Sequence, residues 1–587
     1  MEITRLFDTI YYQQEQYPQK ISITSLRDGQ WKPYSTQDII DRANEMSLGF
    51  LKLGVQPGDK IAIITKENRP EWNICDIAAG QIGAITVPIY PTISPKEYEY
   101  IFNDASVKIC IVEKEDLFHK VDEIKGSVSS LQYVFSIDES KGCANWEEIF
   151  KKGKGGDIEE VKKLSANVKS GDLATLIYTS GTTGLPKGVM LSHHNIIANV
   201  KEVGQHMPLS PGLRALSFLP LCHIFERMVS YCYIHNGVNI YYSSVDTLAE
   251  KLPTVKPNFF TTVPRLLEKV YEKVVNGGMQ KSGISKKIFL WALELTKSYE
   301  YDQKPSFLMK IADKLVYSKI REKLGGEVIG IVTGSAPCPL NIAQFFSAAG
   351  IPIREGYGLT ETSPVLTFGR FTEGGAMLGT VGTSIDNVEL KIEDDGEILA
   401  KGPNIMMGYY NQPEQTAEVM TEDGWFRTGD IGKFITGKNG AKFLKITDRK
   451  KQLLKTSGGK YVAPAPIENK FKESFFIEQM MVVGEGKKFV SALIVPAFET
   501  LKDWAKNEGI TFSSNEDLIK NEKVIKLYRD IAEEYNPNFS KIEQIKKISL
   551  LSNEWTDTSG ELTPTMKVKR KVIRERYAQQ IDEIYGV

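Results

Sequence analysis

YTSGTTGLPKGVMLSHHN, residues 178–195, runs from a tyrosine through small and hydroxylated residues to a lysine. The segment leading into it, LATLIY (173–178), is rich in branched and aromatic side chains and reads as a buried strand. Thr179 to Gly188 is too rich in Gly, Ser and Thr to pack, so a loop is expected there. Exposed backbone N–H groups, hydroxyls and the Lys187 ammonium together suit a polyphosphate. A Walker A loop would need Gly-Lys followed by Ser or Thr. Here Leu185 and Pro186 separate Gly184 from Lys187, and Gly188 follows the lysine. A surface loop without a ligand has the same composition, so the rest of the chain must decide.

At 587 residues the chain is too long for one ordinary core, and roughly two to four domains are expected. Lys plus Arg (73) nearly cancels Asp plus Glu (74), which removes any global drive towards nucleic acid or an anionic membrane. The six cysteines form no C-x-x-C pair, which argues against a zinc site or a disulfide framework. MEITRLFDTIYYQQEQYPQK lacks a basic region followed by an apolar core, and no run is long enough to span a bilayer. A cytoplasmic protein is expected, with peripheral membrane contact left open.

Residues 1–170 alternate short apolar runs, such as KIAIITKE (60–67) and VKICIVEKE (107–115), with amphipathic stretches such as TQDIIDRANEMSLGFLKLG (36–54). That alternation predicts layered α/β structure with a mostly parallel sheet. NFFTTV (258–263) and EVIGIVTGSAP (327–337) repeat the theme. From about residue 380 the pattern becomes β: NVELKIEDDGEILAKGP turns at Asp394-Asp395-Gly396 as a hairpin. The division expected is a large domain 1–447, with a β subdomain 380–447 and a helical insertion 270–324, a hinge 448–452, and a small α+β domain 453–587. The stretch 446–468 reads as linker or hinge, and MMVVGEGKKFVSALIVP (480–496) as a hairpin. The insertion carries 11 Lys/Arg against 6 Asp/Glu. A basic amphipathic helix can lie on a membrane, and a solvated helix face shows the same pattern.

GYGLTET (356–362) places Tyr357 between glycines, where its ring suits stacking on a planar base. Thr360 offers a hydroxyl there, and Glu361 a hard carboxylate fit for Mg²⁺. In GWFRTGD (424–430), Asp430 suits a pair of adjacent hydroxyls, and Arg449 is a second ribose or phosphate candidate. Each alone is readily a core, turn or surface residue. Taken in order, YTSGTTGLPKGV, FLPLCHIFER, GSAP, GYGLTET, GWFRTGD, DRKKQLLKTSGGKYVAP and PTMKVKR closely resemble the adenylate-forming superfamily of acyl-CoA synthetases, peptide-synthetase adenylation domains and luciferases. The resemblance covers nearly the whole chain.

What the resemblance implies is a two-step ligase using ATP, Mg²⁺ and coenzyme A. A carboxylate attacks the α-phosphate to give acyl-AMP, and a thiol then displaces AMP. Thr179, Ser180, Gly181, Thr182, Thr183, Gly184 and Lys187 would hold the β- and γ-phosphates, with Mg²⁺ on Glu361 and Thr360 at the α-phosphate. Gly334, Ser335, Ala336 and Pro337 would line the adenine pocket, with Gly356, Tyr357 and Gly358 against the base. Lys567 is the candidate cation bridging carboxylate and α-phosphate. Met566 replaces the family's usual glycine, and Lys569 and Lys571 lie close by, but the spacing from Lys567 to Arg570 fits the family. Lys451 would be the pivot that removes Lys567 and brings Gly458 and Gly459 towards the thiol.

FLPLCHIFERMVSYCYIHNGVNIYY (218–242) and TTVPRLLEKVYEKV (261–274) resemble long-chain fatty acyl-CoA synthetases in particular, which places His223 beside the substrate carboxylate. The expected partners are fatty acid, ATP and coenzyme A, without nucleic acid; a homodimer is left open. The family's acyl-gate tryptophan is not evident here. A fatty acyl-AMP ligase serving a carrier protein, an aryl or short-acid synthetase, and an inactive binding scaffold are the alternatives. The carrier-directed ligases usually carry an insertion that blocks rotation, and none is evident near the hinge.

Overall fold

The computed structural model describes residues 1–179, 185–556, 558–562 and 568–586, with the backbone alone at 451. Among them the strands assemble into five sheets. An eight-stranded sheet runs Gly408–Tyr409, Lys187–Ser192, Leu173–Thr179, Ile85–Pro88, Lys60–Ile64, Val107–Val112, Tyr133–Ser136, Ala144–Asn145. A nine-stranded sheet has five successive parallel pairings, joining Ile23–Arg27, Asn239–Tyr242, Arg214–Ser217, Phe259–Thr262, Gly330–Thr333 and Ile353–Gly358, with antiparallel strands at both edges.

Two helices lie between these sheets. Pro70–Gln81 and Ile224–His235 are buried almost all round, and their sequences (PEWNICDIAAGQ and IFERMVSYCYIH) are apolar on every face, as a doubly covered helix must be. Several of the polar groups they carry are bonded internally. Arg227 donates to Asp76 from Nε (3.1 Å) and Nη2 (2.7 Å), and from Nη1 to Thr175 (2.7 Å). Tyr231 also donates to Asp76 (2.5 Å). The network ties both helices to the strands Leu173–Thr179 and Ile85–Pro88.

The segments on either side of the expected loop are paired strands. Leu173–Thr179 pairs antiparallel with Lys187–Ser192, and Thr179 opposes Lys187. Gly188, expected in the loop, is buried in the second strand, where a Cβ would lie 3.0 Å from the Tyr178 ring. The stretch ends as a helix start: Ser192 and Asn195 make a reciprocal capping box for His193–His206.

The DDG turn joins Glu389–Ile392 to Glu397–Lys401 as an antiparallel hairpin within a four-stranded sheet completed by Phe426–Thr436 and Lys442–Arg449. Gly408–Tyr409 leaves that sheet and joins the eight-stranded one instead. The stretch expected as linker is mostly ordered structure. Its first residues continue the strand to Arg449; a 3₁₀ turn, a two-stranded hairpin (Leu454–Lys455, Tyr461–Val462) and the helix Pro464–Phe471 follow. Charge there reflects exposed strand faces, which alternation hides in a short window.

Beyond residue 453 the apolar residues form their own core around Ile477–Val483, Ser491–Pro496 and Glu522–Tyr535. The helical insertion is not a separate unit: Phe289, Ala292, Ala312, Tyr317 and Ile320 join the main core.

Candidate functional site

Parallel strands point their carboxyl ends the same way, and ligands of such sheets gather at those ends. The segments leaving Arg214–Ser217, Gly330–Thr333 and Ile353–Gly358 carry His223, 334–337 and 356–362. A Cβ on Gly334 would lie 3.4 Å from the Gly356 carbonyl and 3.6 Å from the Phe225 ring, so the three segments meet. Gly358 admits no side chain, because a Cβ would fall 1.7 Å from the Pro364 carbonyl. Ser335 takes a left-handed conformation (φ +70°) immediately after Gly334, a sharp turn that exposes backbone. His223 caps the helix Ile224–His235: its Nδ1 accepts from the Phe225 N–H at 3.2 Å, which leaves the proton on Nε2.

Beside the strand Lys187–Ser192, Tyr409 joins two expected residues. Its hydroxyl donates to Glu361 Oε1 (2.9 Å), and the Lys187 ammonium lies 4.8 Å from its ring centroid. The register Tyr409–Val189 holds the ring there, and the Met406 N–H donates to the Glu361 carbonyl (2.9 Å). Thr179, Lys187 and Glu361 therefore border one place, with Thr360 in the same 3₁₀ turn as Glu361. Ser180, Gly181, Thr182, Thr183 and Gly184 lie outside the described residues.

At the end of the four-stranded sheet, the Tyr357 hydroxyl donates to Asp430 Oδ2 (2.8 Å), and Arg449 Nε lies 3.2 Å from Asp430 Oδ1. Asp430 and Arg449 are partners in adjacent strands, so their side chains share a face. Burial and the neighbouring Asp430 carboxylate push the Tyr357 hydroxyl far above its ordinary range, so it stays a donor.

Two acids of this region were missed in the sequence. Glu226 is buried, accepts from the Ser217 hydroxyl (2.5 Å) and from Thr261, and is pushed up to about 7 by burial. Glu355, immediately before Gly356, is also pushed up to about 7 by burial, and accepts the Cys338 N–H at 3.2 Å. The available signal was the Glu-Arg pair inside the otherwise apolar 224–234. Tyr409 had no local signal, since its place depends on a strand pairing across the chain.

Residues 10–410 match the AMP-binding enzyme family, and 451–587 match the AMP-binding enzyme C-terminal domain. The chain belongs to the AMP-binding enzymes. Long-chain-fatty-acid–CoA ligase FadD15 of Mycobacterium bovis is 35% identical over 97% of this chain and 95% of its own. Human long-chain-fatty-acid–CoA ligase 6 is 32% identical over 95% of this chain and 83% of its own. Among solved structures, the anthranilate CoA ligase AuaEII with anthranoyl-AMP superposes with a TM-score of 0.73 at 18% identity, covering 97% of each chain. The adenylation domain of a carboxylic acid reductase from Segniliparus rugosus, with AMP and a co-purified carboxylic acid, gives 0.74 at 20%, over 99% of this chain and 94% of that one. These last two establish the adenylate-forming fold: a large α/β domain followed by a small one.

Gly458 and Gly459 are exposed at the turn of the hairpin Leu454–Lys455/Tyr461–Val462, and the neighbouring Ser457 bonds to Lys487. Lys567 lies outside the described residues, as does the Lys451 side chain; the Lys451 backbone is in the 3₁₀ turn Lys450–Gln452. Lys450 beside it pairs with Asp395 (2.6 Å) and Glu397 (2.9 Å), so the DDG hairpin also anchors the start of the crossing. Asp448 accepts N–H groups from Arg449 (2.6 Å) and from Ala465 (3.3 Å) in the first turn of Pro464–Phe471, and burial pushes it up to about 6.

Glu361 suits Mg²⁺, which takes one or two carboxylates and completes its shell with water and substrate phosphates. Among the described residues the one trio of metal-type side chains, Glu202, His206 and Asp386, does not include it. None of the helices among the described residues is long and apolar enough to cross a membrane.

Proposed function

We propose that this protein is an ATP-dependent long-chain fatty-acid–CoA ligase. The convergence of Thr179, Lys187 and Glu361 around Tyr409 carries the reading, in a chain aligned nearly end to end with ligases of that name. The fatty acid carboxylate attacks the α-phosphorus of ATP, and the bond to pyrophosphate breaks. The thiol of coenzyme A then attacks the acyl carbon, the anhydride C–O bond breaks, and AMP leaves. The first step brings two anions together, so charge neutralisation dominates its catalysis.

Lys187 and the hairpin it closes hold the β- and γ-phosphates. Glu361 would hold Mg²⁺, which would offset the phosphate charge. Thr360 contacts the α-phosphate, 334–337 and Tyr357 enclose adenine, and Asp430 with Arg449 takes the ribose. The ribose hydroxyls share Asp430 with Tyr357, or displace Arg449 from it. His223 donates from Nε2 towards the substrate carboxylate, and Lys567 bridges carboxylate and α-phosphate. Rotation at Lys451 then exchanges Lys567 for the Gly458–Gly459 turn. On this reading Lys451→Pro retains pyrophosphate release but slows thioester formation; equal loss of both steps would refute the pivot.

Release of AMP and pyrophosphate across a series of fatty acids, with and without coenzyme A, tests the assignment. Steady turnover needing both a long-chain acid and coenzyme A is expected. A pyrophosphate burst indifferent to coenzyme A would instead indicate a carrier-directed ligase, and no turnover with any acid would overturn the reading.

A further inference from the structure

Lys187 and Glu361 carry opposite charges against the face and the edge of one tyrosine, and neither has an ion-pair partner among the described residues. Both are half-buried, and an ammonium and a carboxylate gathered at one place gain by pairing. Here the ring of Tyr409 takes the ammonium (4.8 Å to its centroid) and the hydroxyl takes the carboxylate (2.9 Å). One side chain therefore occupies both charges and stands between them.

The backbone fixes Tyr409 in that place. It opposes Val189 in an antiparallel pair, which makes Lys187 its diagonal neighbour on the same face. Tyr409 is buried, its N–H donates to the Thr416 hydroxyl (2.9 Å), and the N–H of Tyr410 donates to the Gly188 carbonyl (2.7 Å). Burial and the Glu361 carboxylate push the Tyr409 hydroxyl far above its ordinary range, so it remains a donor. Phenylalanine in its place would still cover Lys187 but leave Glu361 without its donor. An aliphatic residue would do neither, and the two charges could then collapse onto each other.

We infer that Tyr409 is a positioning residue that keeps Lys187 and Glu361 from neutralising one another, so that the ammonium stays available to phosphate oxygens and the carboxylate to Mg²⁺. This rests on the phosphate-site reading above and is independent of which acid is activated. The test is calorimetric titration of the full-length protein with ATP, without fatty acid or coenzyme A, in EDTA and across a series of Mg²⁺ concentrations. Mg²⁺ should tighten ATP binding by the parent. Tyr409→Phe should match the parent in EDTA, while the Mg²⁺ concentration giving half of the tightening rises roughly tenfold or more, as when a metal-binding carboxylate loses its outer hydrogen bond. Tyr409→Leu should weaken binding in EDTA as well, roughly fivefold, because a Lys187–Glu361 pair must open before phosphate enters. Tyr409→Phe keeps the buried ring, so it decides the matter should Tyr409→Leu fail to fold. A Tyr409→Phe protein that follows the parent at every Mg²⁺ concentration, or that loses affinity equally in EDTA and in Mg²⁺, overturns the proposal. A parent whose ATP binding ignores Mg²⁺ removes the cation role of Glu361 and the proposal with it. The expected Mg²⁺ shift in a protein that turns over no fatty acid would uphold the role of Tyr409 and sink the fatty-acid reading.

Discussion

Two arginine–aspartate pairs in this molecule are chemically alike and physically opposite. Arg227 and Asp76 lie between the large sheets with side chains 1% and 2% exposed, and Tyr231, Thr175 and Thr86 complete their bonding. Arg449 and Asp430 lie at the end of the four-stranded sheet, where the arginine side chain is 50% exposed and the aspartate 5%. In the first pair, removal from water is offset only while every bond is made, so the pair specifies how helices and sheets fit. In the second, the guanidinium is half in water, and Asp430 keeps a bond from Tyr357. Such a pair opens for a ligand at small cost.

The widest test of that contrast is to break the buried pair. Asp76→Asn should lower unfolding stability by about 3–5 kcal/mol, and Asp76→Leu with Arg227→Met should recover most of it. Denaturant titration reads both; a loss under about 1 kcal/mol for the single change would deny the pair its structural role.

Glu226 sharpens the comparison as a buried acid in the same layer that is bonded to hydroxyls. Burial raises it from 4.5 to about 7, so the unfolded chain ionises first as pH rises. Stability should therefore fall between those two values, by up to roughly 3 kcal/mol, and Glu226→Gln should lack that slope. Parallel slopes for both proteins would show that the acid is ionised in the fold.

For the half-exposed pair, the reading is reversed: Arg449→Ala should cut kcat/KM for ATP about 10- to 100-fold, with unfolding stability within about 1 kcal/mol. Smallest is Tyr357→Phe, which removes one bond to Asp430 and should change the ATP KM only a few-fold, about 1 kcal/mol. Unfolding data on the same protein would show whether that hydroxyl instead serves stability.

Much of the site was legible because its chemistry is concentrated in short segments. Lys187, Glu361, Asp430 and Arg449 stand in stretches whose composition resists packing or whose order along the chain is distinctive. Strands such as Lys60–Ile64 and Phe259–Thr262, and the hairpin at Asp394–Gly396, were legible from alternation and turn residues. Less was legible where sequence neighbours separate. Gly408–Tyr409 lies within the β region yet completes the other sheet, and the charged stretch after Ile446 is strand, hairpin and helix instead of linker.

By itself, the sequence determined the element types and the α/β-then-β order, because these follow from local periodicity, side-chain conformational preference and spacing. Tertiary structure alone decided that Tyr409 bridges Lys187 and Glu361, that Asp430 is shared by Tyr357 and Arg449, and that Arg227 finds Asp76. Each joins residues far apart in the chain. Such pairings arise only when burial of whole faces brings distant strands and helices into register, which no window of sequence contains.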